Sequence, residues 1–177
     1  MVTIVAALGS VLVGAVAAWC ADSRRVFFII PVWLLARMAL NAIDGMLARE
    51  FRQKSVLGGY LNEIGDVVSD AALYAPFAFV APFRSFGIGL VIVLSIVAEF
   101  AGALGPTMGA SRRYDGPMGK SDRAVVFGAL GLWIGLAPPP AWLGWVVPIL
   151  AALLALTVVN RVRAGIGEAK SAGSELP

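Results

Sequence analysis

The 177-residue chain is 59% hydrophobic and only 14% charged, with a formal net charge of +3. Its mean hydropathy of +0.85 excludes an ordinary water-soluble domain and indicates a protein that crosses a lipid bilayer several times. The chain has no histidine and one cysteine, Cys20, which excludes imidazole chemistry, histidine ligation of a metal and an internal disulfide.

Six stretches between polar breaks are candidates for membrane-spanning helices, since about 20 mainly apolar residues cross the hydrocarbon core. In chain order they are about 2–20, 26–49, 58–82, 85–105, 123–137 and 141–160. The proline triplet at 138–140 forces the turn between the last two. We therefore expect an all-α polytopic membrane protein, a six-transmembrane-helix bundle over residues 1–164 with a polar cytoplasmic tail over 165–177.

The basic residues at the ends of the predicted spans and between the spans are distributed unevenly between the two ends of this bundle. Ten lie at one end, namely Arg49, Arg52, Lys54, Arg112, Arg113, Lys120, Arg123, Arg161, Arg163 and Lys170, and three at the other, namely Arg24, Arg25 and Arg84. Cytoplasmic loops are enriched in Lys and Arg. We therefore expect a multi-pass protein of the cytoplasmic (inner) membrane with both termini in the cytoplasm.

The second and third predicted spans carry polar residues with helical spacing. Asn41 and Asp44 are three residues apart, and Asn62, Asp66 and Asp70 follow one another in steps of four. Each row therefore lies on one face of its helix. A charge at membrane depth is costly, so an acidic cluster there indicates a functional site. Two such rows facing each other could hold a divalent cation through oxygen ligands.

The depth of each polar residue follows from the helical rise of about 1.5 Å per residue. If the second and third helices start from a common level at Arg49 and Gly58, Asn41 lies near Asp66 and Asp44 near Asn62. Arg37 then lies beside Asp70, deeper in the membrane. We predict a buried ion pair between Arg37 and Asp70 beneath a polar site that faces the cytoplasm.

The same stretch resembles the sequence motif of the CDP-alcohol phosphatidyltransferases, D-x2-D-G-x2-A-R-x8-G-x3-D-x3-D. Here the motif positions are Asn41, Asp44, Gly45, Ala48, Arg49, Gly58, Asn62 and Asp66, and every spacing fits. Asparagine replaces the first and third aspartates, and the surrounding sequence resembles a bacterial branch of the family that carries both asparagines.

This resemblance implies an enzyme of phospholipid biosynthesis with six transmembrane helices. Such an enzyme transfers a phosphatidyl group from a CDP-alcohol, commonly CDP-diacylglycerol, to an acceptor alcohol and releases CMP. The resemblance also implies Mg²⁺ or Mn²⁺ as cofactor, bound by Asp44 and Asp66 with Asn41 and Asn62 as neutral ligands. Asp66 would also be the catalytic base, and the CDP moiety would contact Gly45, Ala48, Arg49 and Gly58. No nucleic acid partner is expected.

The two asparagines leave the number of metal ions open, because the four ligand positions carry a formal charge of −2 where the family has −4. Glu63 or Asp70 could compensate, and one ion brought in with the substrate pyrophosphate is the arrangement that we expect. The alternative is a catalytically impaired lipid- or nucleotide-binding membrane protein on the same scaffold. A more distant alternative is a small transporter whose buried acids relay protons.

The loop over residues 111–123 is the second basic region. Its four cations are Arg112, Arg113, Lys120 and Arg123. They could bind a phosphate on the acceptor or on a lipid headgroup, or they could serve only membrane topology and attraction to anionic lipid. The sequence leaves these two interpretations open.

Three further features have two interpretations each. Glu99, in the fourth span, could reach an arginine of the basic loop or bond to neighbouring helices. Gly131 and Gly135 form a small-x3-small pair that suits either a homodimer contact or packing within the chain. The apolar run starts at Val2, where the family usually has a polar amphipathic segment, so either the start is truncated or the chain manages without that segment.

Overall fold

The computed structural model describes the backbone of residues 2–50 and 56–174 and the side chains of this part except those at 44, 45, 47–50, 173 and 174. This part of the chain is helical and contains no strand, which confirms the predicted all-α class. Its six α-helices are α1 (Val2–Trp19), α2 (Ile29–Glu50), α3 (Val56–Tyr74), α4 (Ser85–Leu104), α5 (Lys120–Leu136) and α6 (Val146–Ser174). Short 3₁₀ segments cover Arg24–Phe28, Ala75–Phe79, Gly105–Met108 and Ala141–Trp145.

Four helical stretches within the described residues are long and apolar enough to cross a membrane. They are Val2–Trp19, Arg24–Ile43, Ser85–Met108 and Ala141–Ala172. The helices α3 and α5 are not among them, because α3 carries the row of polar residues and α5 has only 17 residues. The chain is therefore a polytopic membrane protein, in which four spans follow from length and composition.

The stretch predicted as a polar tail continues the last helix. Residues 165–174 belong to α6, which runs without a break from Val146 to Ser174. The C-terminal part of the chain therefore prolongs α6, and its Glu168 bonds to Ser111 and Arg113 of the basic loop.

The helices pack as two connected groups. In the first, α1 lies against α3 and α2, and α5 lies against α2; in the second, α4 lies against α6 and also contacts α3. The α1–α3 contact is especially close at Gly14, where an added Cβ would lie 2.2 Å from the carbonyl oxygen of Ala72. A small residue is needed at that crossing because the two backbones touch.

An aromatic cluster fixes α3 relative to α5. The rings of Tyr74 and Phe127 stack with their centroids 3.8 Å apart, and Phe77 meets Phe127 edge-on at 5.1 Å. Phe27 packs edge-on against Phe77 at 5.4 Å, and all four side chains are fully buried. Because Tyr74 lies one turn beyond Asp70, this cluster forms the apolar floor beneath the polar residues of α3.

The small-x3-small pair on α5 packs within the chain. A Cβ on Gly131 would lie 3.1 Å from both the carbonyl oxygen of Phe27 and the ring of Pro31, and one on Gly135 would meet the ring of Phe28 at 2.9 Å. The two glycines therefore allow α5 to approach α2 and the 3₁₀ segment before it. The homodimer stays a prediction.

Candidate functional site

Asp66 of α3 is the centre of the polar site. Its Oδ2 lies 2.5 Å from Nζ of Lys120, the first residue of α5. Its Oδ1 lies 3.4 Å from Nη2 of Arg37 and 3.5 Å from Nδ2 of Asn41, both on α2. The predicted proximity of Asn41 and Asp66 is thus confirmed. The site joins three helices around one carboxylate, whose side chain is 20% exposed.

Several predicted site residues lie outside the described side chains. These are the predicted metal ligand Asp44 and the predicted CDP contacts Gly45, Ala48 and Arg49, whose backbone is part of α2. Of the other motif residues, Asn62 is half-buried one turn before Asp66, and Gly58 is exposed in the first turn of α3. Their predicted roles stay predictions.

Beneath Asp66, two arginines share one buried carboxylate. Arg37 Nη1 donates to Oδ1 of Asp70 at 2.6 Å, which confirms the predicted ion pair. Arg123 of α5 donates from Nη2 to Oδ2 of the same carboxylate at 2.9 Å. The three residues are at most 4% exposed. Because both arginines are positively charged and hydrogen-bonded to the carboxylate, they offset the free-energy cost of burying Asp70.

Glu99 extends this network to α4 and α6. Its Oε1 accepts from Arg123 Nη2 at 3.0 Å, and its Oε2 lies 3.6 Å from Arg161 Nη1 and 4.0 Å from Arg112 Nη2. Of the two predicted roles of Glu99, contact with arginines of the basic loop is confirmed. Arg161 is 3% exposed and also donates to the carbonyl oxygen of Ala98. In the sequence, Arg161 was only one of the ten basic residues that predicted the orientation, and its contacts with Glu99 and Ala98 were not predicted.

Ion pairs hold the loop that precedes α5. Arg112 binds Glu63 of α3 with both terminal nitrogens, one of them at 2.8 Å. Arg113 donates to both oxygens of Asp115 at 2.9 and 3.0 Å and also binds Glu168 of α6. The hydrogen bond from Arg113 lowers the pKa of Asp115, and the hydrogen bond to Glu63 raises the pKa of Arg112. The loop is therefore fixed to α3 and α6.

The end of this loop places Lys120 at the site. Gly116 has a φ of +117°, which favours glycine, and it lies against Thr157 of α6. The Met118 amide then donates to Oγ1 of Thr157 at 3.0 Å. At the start of α5, the amide of Gly119 donates to Oδ2 of Asp122 at 2.8 Å, which fixes the first turn. Lys120 therefore starts its helix from a position set by α6.

Two cavities meet at Lys120. One has a volume of about 220 Å³ and lies between α2 and α5, lined by residues that include Arg37, Asn41 and Lys120. The other, of about 510 Å³, lies between α3, the loop and α5, lined by residues that include Asn62, Asp66 and Lys120. The larger cavity has the size of a small-molecule site. Lys120 thus forms part of the wall of both.

The described side chains offer the oxygen ligands that a divalent cation prefers, but too little free negative charge to bind it. Mg²⁺ and Mn²⁺ prefer oxygen ligands, which Asp66 and the amides of Asn41 and Asn62 offer. However, no group of three acidic or thiol side chains converges among the described residues, and the Asp66 carboxylate already contacts Lys120 and Arg37. These residues alone therefore do not form a complete metal site.

Comparison with known proteins finds a relative of this chain, although no family model describes it. No protein-family model matches the chain. Over 140 residues the chain is 46% identical to a protein of Escherichia coli (strain K12) named inner membrane protein YnbA. The match covers 77% of this chain and 69% of that protein. Together with the apolar helices, it supports a location in the membrane.

Proposed function

The chain belongs to the family of the Escherichia coli inner membrane protein YnbA, and we propose that it is a CDP-alcohol phosphatidyltransferase. In this proposal it transfers a phosphatidyl group from CDP-diacylglycerol to an acceptor alcohol and releases CMP. The observation that carries the proposal is that Asn41 of α2 and Lys120 of α5 both contact Asp66 of α3, at 3.5 Å and 2.5 Å. The resemblance of the motif supplies the reaction.

The chemistry requires a base beside a group that neutralises phosphate charge. The acceptor hydroxyl attacks the phosphorus that carries the diacylglycerol, the bond from that phosphorus to the CMP oxygen breaks, and CMP leaves with the electron pair. Asp66 takes the proton of the attacking hydroxyl. Lys120 and Arg37, both in contact with Asp66, are placed to stabilise negative charge on the phosphates.

The resemblance also implies Mg²⁺ or Mn²⁺ at this site. Asp44 and Asp66, with Asn41 and Asn62, are the residues that would hold it, and a bound cation would neutralise the pyrophosphate of the donor. The side chains transfer the proton and stabilise part of the phosphate charge, and the ion would supply the remaining positive charge at the donor pyrophosphate.

We further propose that α3 and α5 complete a bundle of six spans whose polar site faces the cytoplasm. The charged residues of these helices support this, because Asp70 and Arg123 bond to each other inside the bundle at 2.9 Å. Paired charges that face a bundle interior are compatible with a membrane span. The excess of basic residues beside the site supports the orientation. CDP-diacylglycerol would enter sideways from the inner leaflet.

A second candidate is a catalytically impaired protein that binds the lipid or the nucleotide on the same scaffold. The observation that favours it is that both oxygens of Asp66 contact cations, Oδ2 with Lys120 and Oδ1 with Arg37. A base held in this way would bind a ligand without turning it over if Lys120 did not move.

The test is release of CMP by the purified full chain. Radiolabelled CDP-diacylglycerol in mixed micelles would be incubated with Mg²⁺ or Mn²⁺ and a panel of alcohols. We expect metal-dependent CMP release that Asp66→Asn abolishes. The matched control is Asp115→Asn, the same chemical change in the loop at a residue that lines neither cavity. If the protein binds CDP-diacylglycerol but releases no CMP with any alcohol of the panel, the second candidate is favoured and the first is contradicted.

A further inference from the structure

The larger cavity, of about 510 Å³, adjoins the proposed base. Its described lining comes from α3, α4, α5, α6 and the loop, and it does not include the predicted CDP contact Gly58 of α3. Asp66 forms part of this wall. An alcohol bound there would have its hydroxyl within reach of the Asp66 carboxylate, the proposed base.

Among the described residues, the charges of this cavity do not form a free anion site. Its described lining has four carboxylates, those of Glu63, Asp66, Glu99 and Asp122. It has three cations, those of Arg112, Lys120 and Arg161. The described lining is therefore net negative by one charge, although it includes two of the four cations that the sequence offers for an acceptor phosphate.

Each cation of the described lining already forms an ion pair with a carboxylate. The two terminal nitrogens of Arg112 bind Glu63 as a fork, and this is the geometry by which arginine would otherwise bind phosphate. Lys120 is 2.5 Å from Asp66, and the proposed reaction uses it for the phosphates of the donor, not of the acceptor. Arg161 is buried against Glu99 at 3.6 Å and against the carbonyl oxygen of Ala98. A phosphate would have to displace these carboxylates and remain beside them.

The other two basic candidates are also occupied, and both lie outside the described cavity wall. Arg113 is bound to Asp115 and Glu168, and Arg123 to Asp70 and Glu99. The cavity wall does offer neutral polar groups, because Asn62, Tyr114 and Ser121 are part of it. Hydroxyl groups can bond to such side chains and to the outer oxygens of paired carboxylates without breaking an ion pair.

We infer that the acceptor is an uncharged polyhydroxy alcohol without a phosphate group. This inference rests on the proposed phosphatidyl transfer and names the class of alcohol that the same site takes. Among the described residues Glu63 has the deciding role, because its pairing with Arg112 occupies the cation fork that could otherwise bind the phosphate of an acceptor. Glu63 is thus a specificity-determining residue.

The experiment compares acceptors that differ only in phosphate. CMP release from CDP-diacylglycerol by the full chain would be measured with glycerol against glycerol 3-phosphate, and with inositol against inositol 1-phosphate. We expect at least tenfold faster release with the uncharged member of one pair. Equal or faster release with the phosphorylated members would overturn the inference and leave phosphatidyl transfer in place. No release with any alcohol would overturn both.

A substitution tests the role of Glu63 directly. Glu63→Gln leaves the Arg112 fork without its carboxylate, so we expect the rate ratio of phosphorylated to uncharged acceptor to rise at least tenfold. Glu168→Gln is the matched control, because it removes a carboxylate from Arg113 outside the cavity wall. An unchanged ratio in Glu63→Gln, or an equal rise in both variants, would contradict this role.

Discussion

Arg123 and Asp70 form a buried ion pair across 53 positions of sequence, with Nη2 of the arginine 2.9 Å from Oδ2 of the aspartate. The pair joins α5 to α3, and Arg37 joins α2 to the other oxygen of the same carboxylate. One aspartate thus connects three helices directly beneath the proposed base.

Loss of the Asp70 charge should therefore destabilise the bundle. Asp70→Asn leaves two buried arginines without their shared counter-charge, and we expect the free energy of unfolding to fall by about 3–5 kcal/mol. Unfolding of the detergent-solubilised protein by a denaturing detergent would measure it. Asp115, the half-buried partner of Arg113 in the loop, provides the control, since Asp115→Asn should cause a much smaller loss. Equal losses in the two variants would contradict the structural role of Asp70.

A charge-reversal swap between Arg37 and Asp70 should not restore stability, although the two residues are paired. Arg37→Asp with Asp70→Arg places the new arginine beside Arg123, which lies 2.9 Å from the present carboxylate. Two like charges in a buried site repel each other strongly. We expect the double variant to be no more stable than either single one in the same unfolding assay. Recovery of wild-type stability would show that Arg123 does not depend on Asp70.

Lys120 should matter for turnover. Removing a preorganised charge beside a reacting group typically costs about 100-fold or more in rate, and we expect Lys120→Met to lower CMP release by about this factor. Lys170→Met, which removes the same charge from the exposed end of α6, should keep the wild-type rate. A rate above half of wild type in Lys120→Met would show that its contact with Asp66 has no catalytic use.

The asparagine at position 62 should limit metal binding. Asn62→Asp adds a carboxylate one helical turn from Asp66, and we expect the Mg²⁺ concentration for half-maximal CMP release to fall about tenfold. Asn160→Asp makes the same change on α6 at a residue that lines neither cavity. A Mg²⁺ dependence that does not change in Asn62→Asp would argue against Asn62 as a metal ligand.

The ion pair between Arg113 and Asp115 in the loop should persist in mildly acidic solution. Because the pKa of Asp115 is lowered in the folded protein, the pair stabilises the loop above the ordinary aspartate pKa. That stabilisation is lost as the pH falls through the lower folded value. The carboxyl chemical shift of Asp115 would report the midpoint. In Arg113→Gln the midpoint should return towards the ordinary range, and an ordinary midpoint in the unmodified chain would contradict the pairing.

The α1–α3 contact should not tolerate a methyl group at Gly14. An added Cβ would lie 2.2 Å from the Ala72 carbonyl oxygen, so we expect Gly14→Ala to cost about 1–3 kcal/mol of stability. Gly89 on α4 has nothing within 4 Å of an added Cβ. Gly89→Ala should therefore be neutral or stabilising by up to about 1 kcal/mol. Thermal unfolding of the two variants side by side would decide, and equal stability would contradict the close helix approach.

The spacing of residues along the chain was enough to predict the all-helical class and two contacts of the polar site. The apolar stretches predicted an all-helical membrane protein, because helix length and bilayer thickness are both fixed. Periodicity and rise also placed Asn41 near Asp66 and paired Arg37 with Asp70, since both contacts join adjacent helices whose relative depth follows from counting residues.

Only the tertiary structure decided which distant charges meet. Lys120 contacts Asp66, Arg123 contacts Asp70, and Arg112 contacts Glu63, and these contacts depend on the path of the loop before α5. That path is set by its bonds to Thr157 and Glu168 on α6, which no periodicity within one helix encodes. The sequence therefore identified the charges of the site, and the packing of α5 and α6 determined how they are paired.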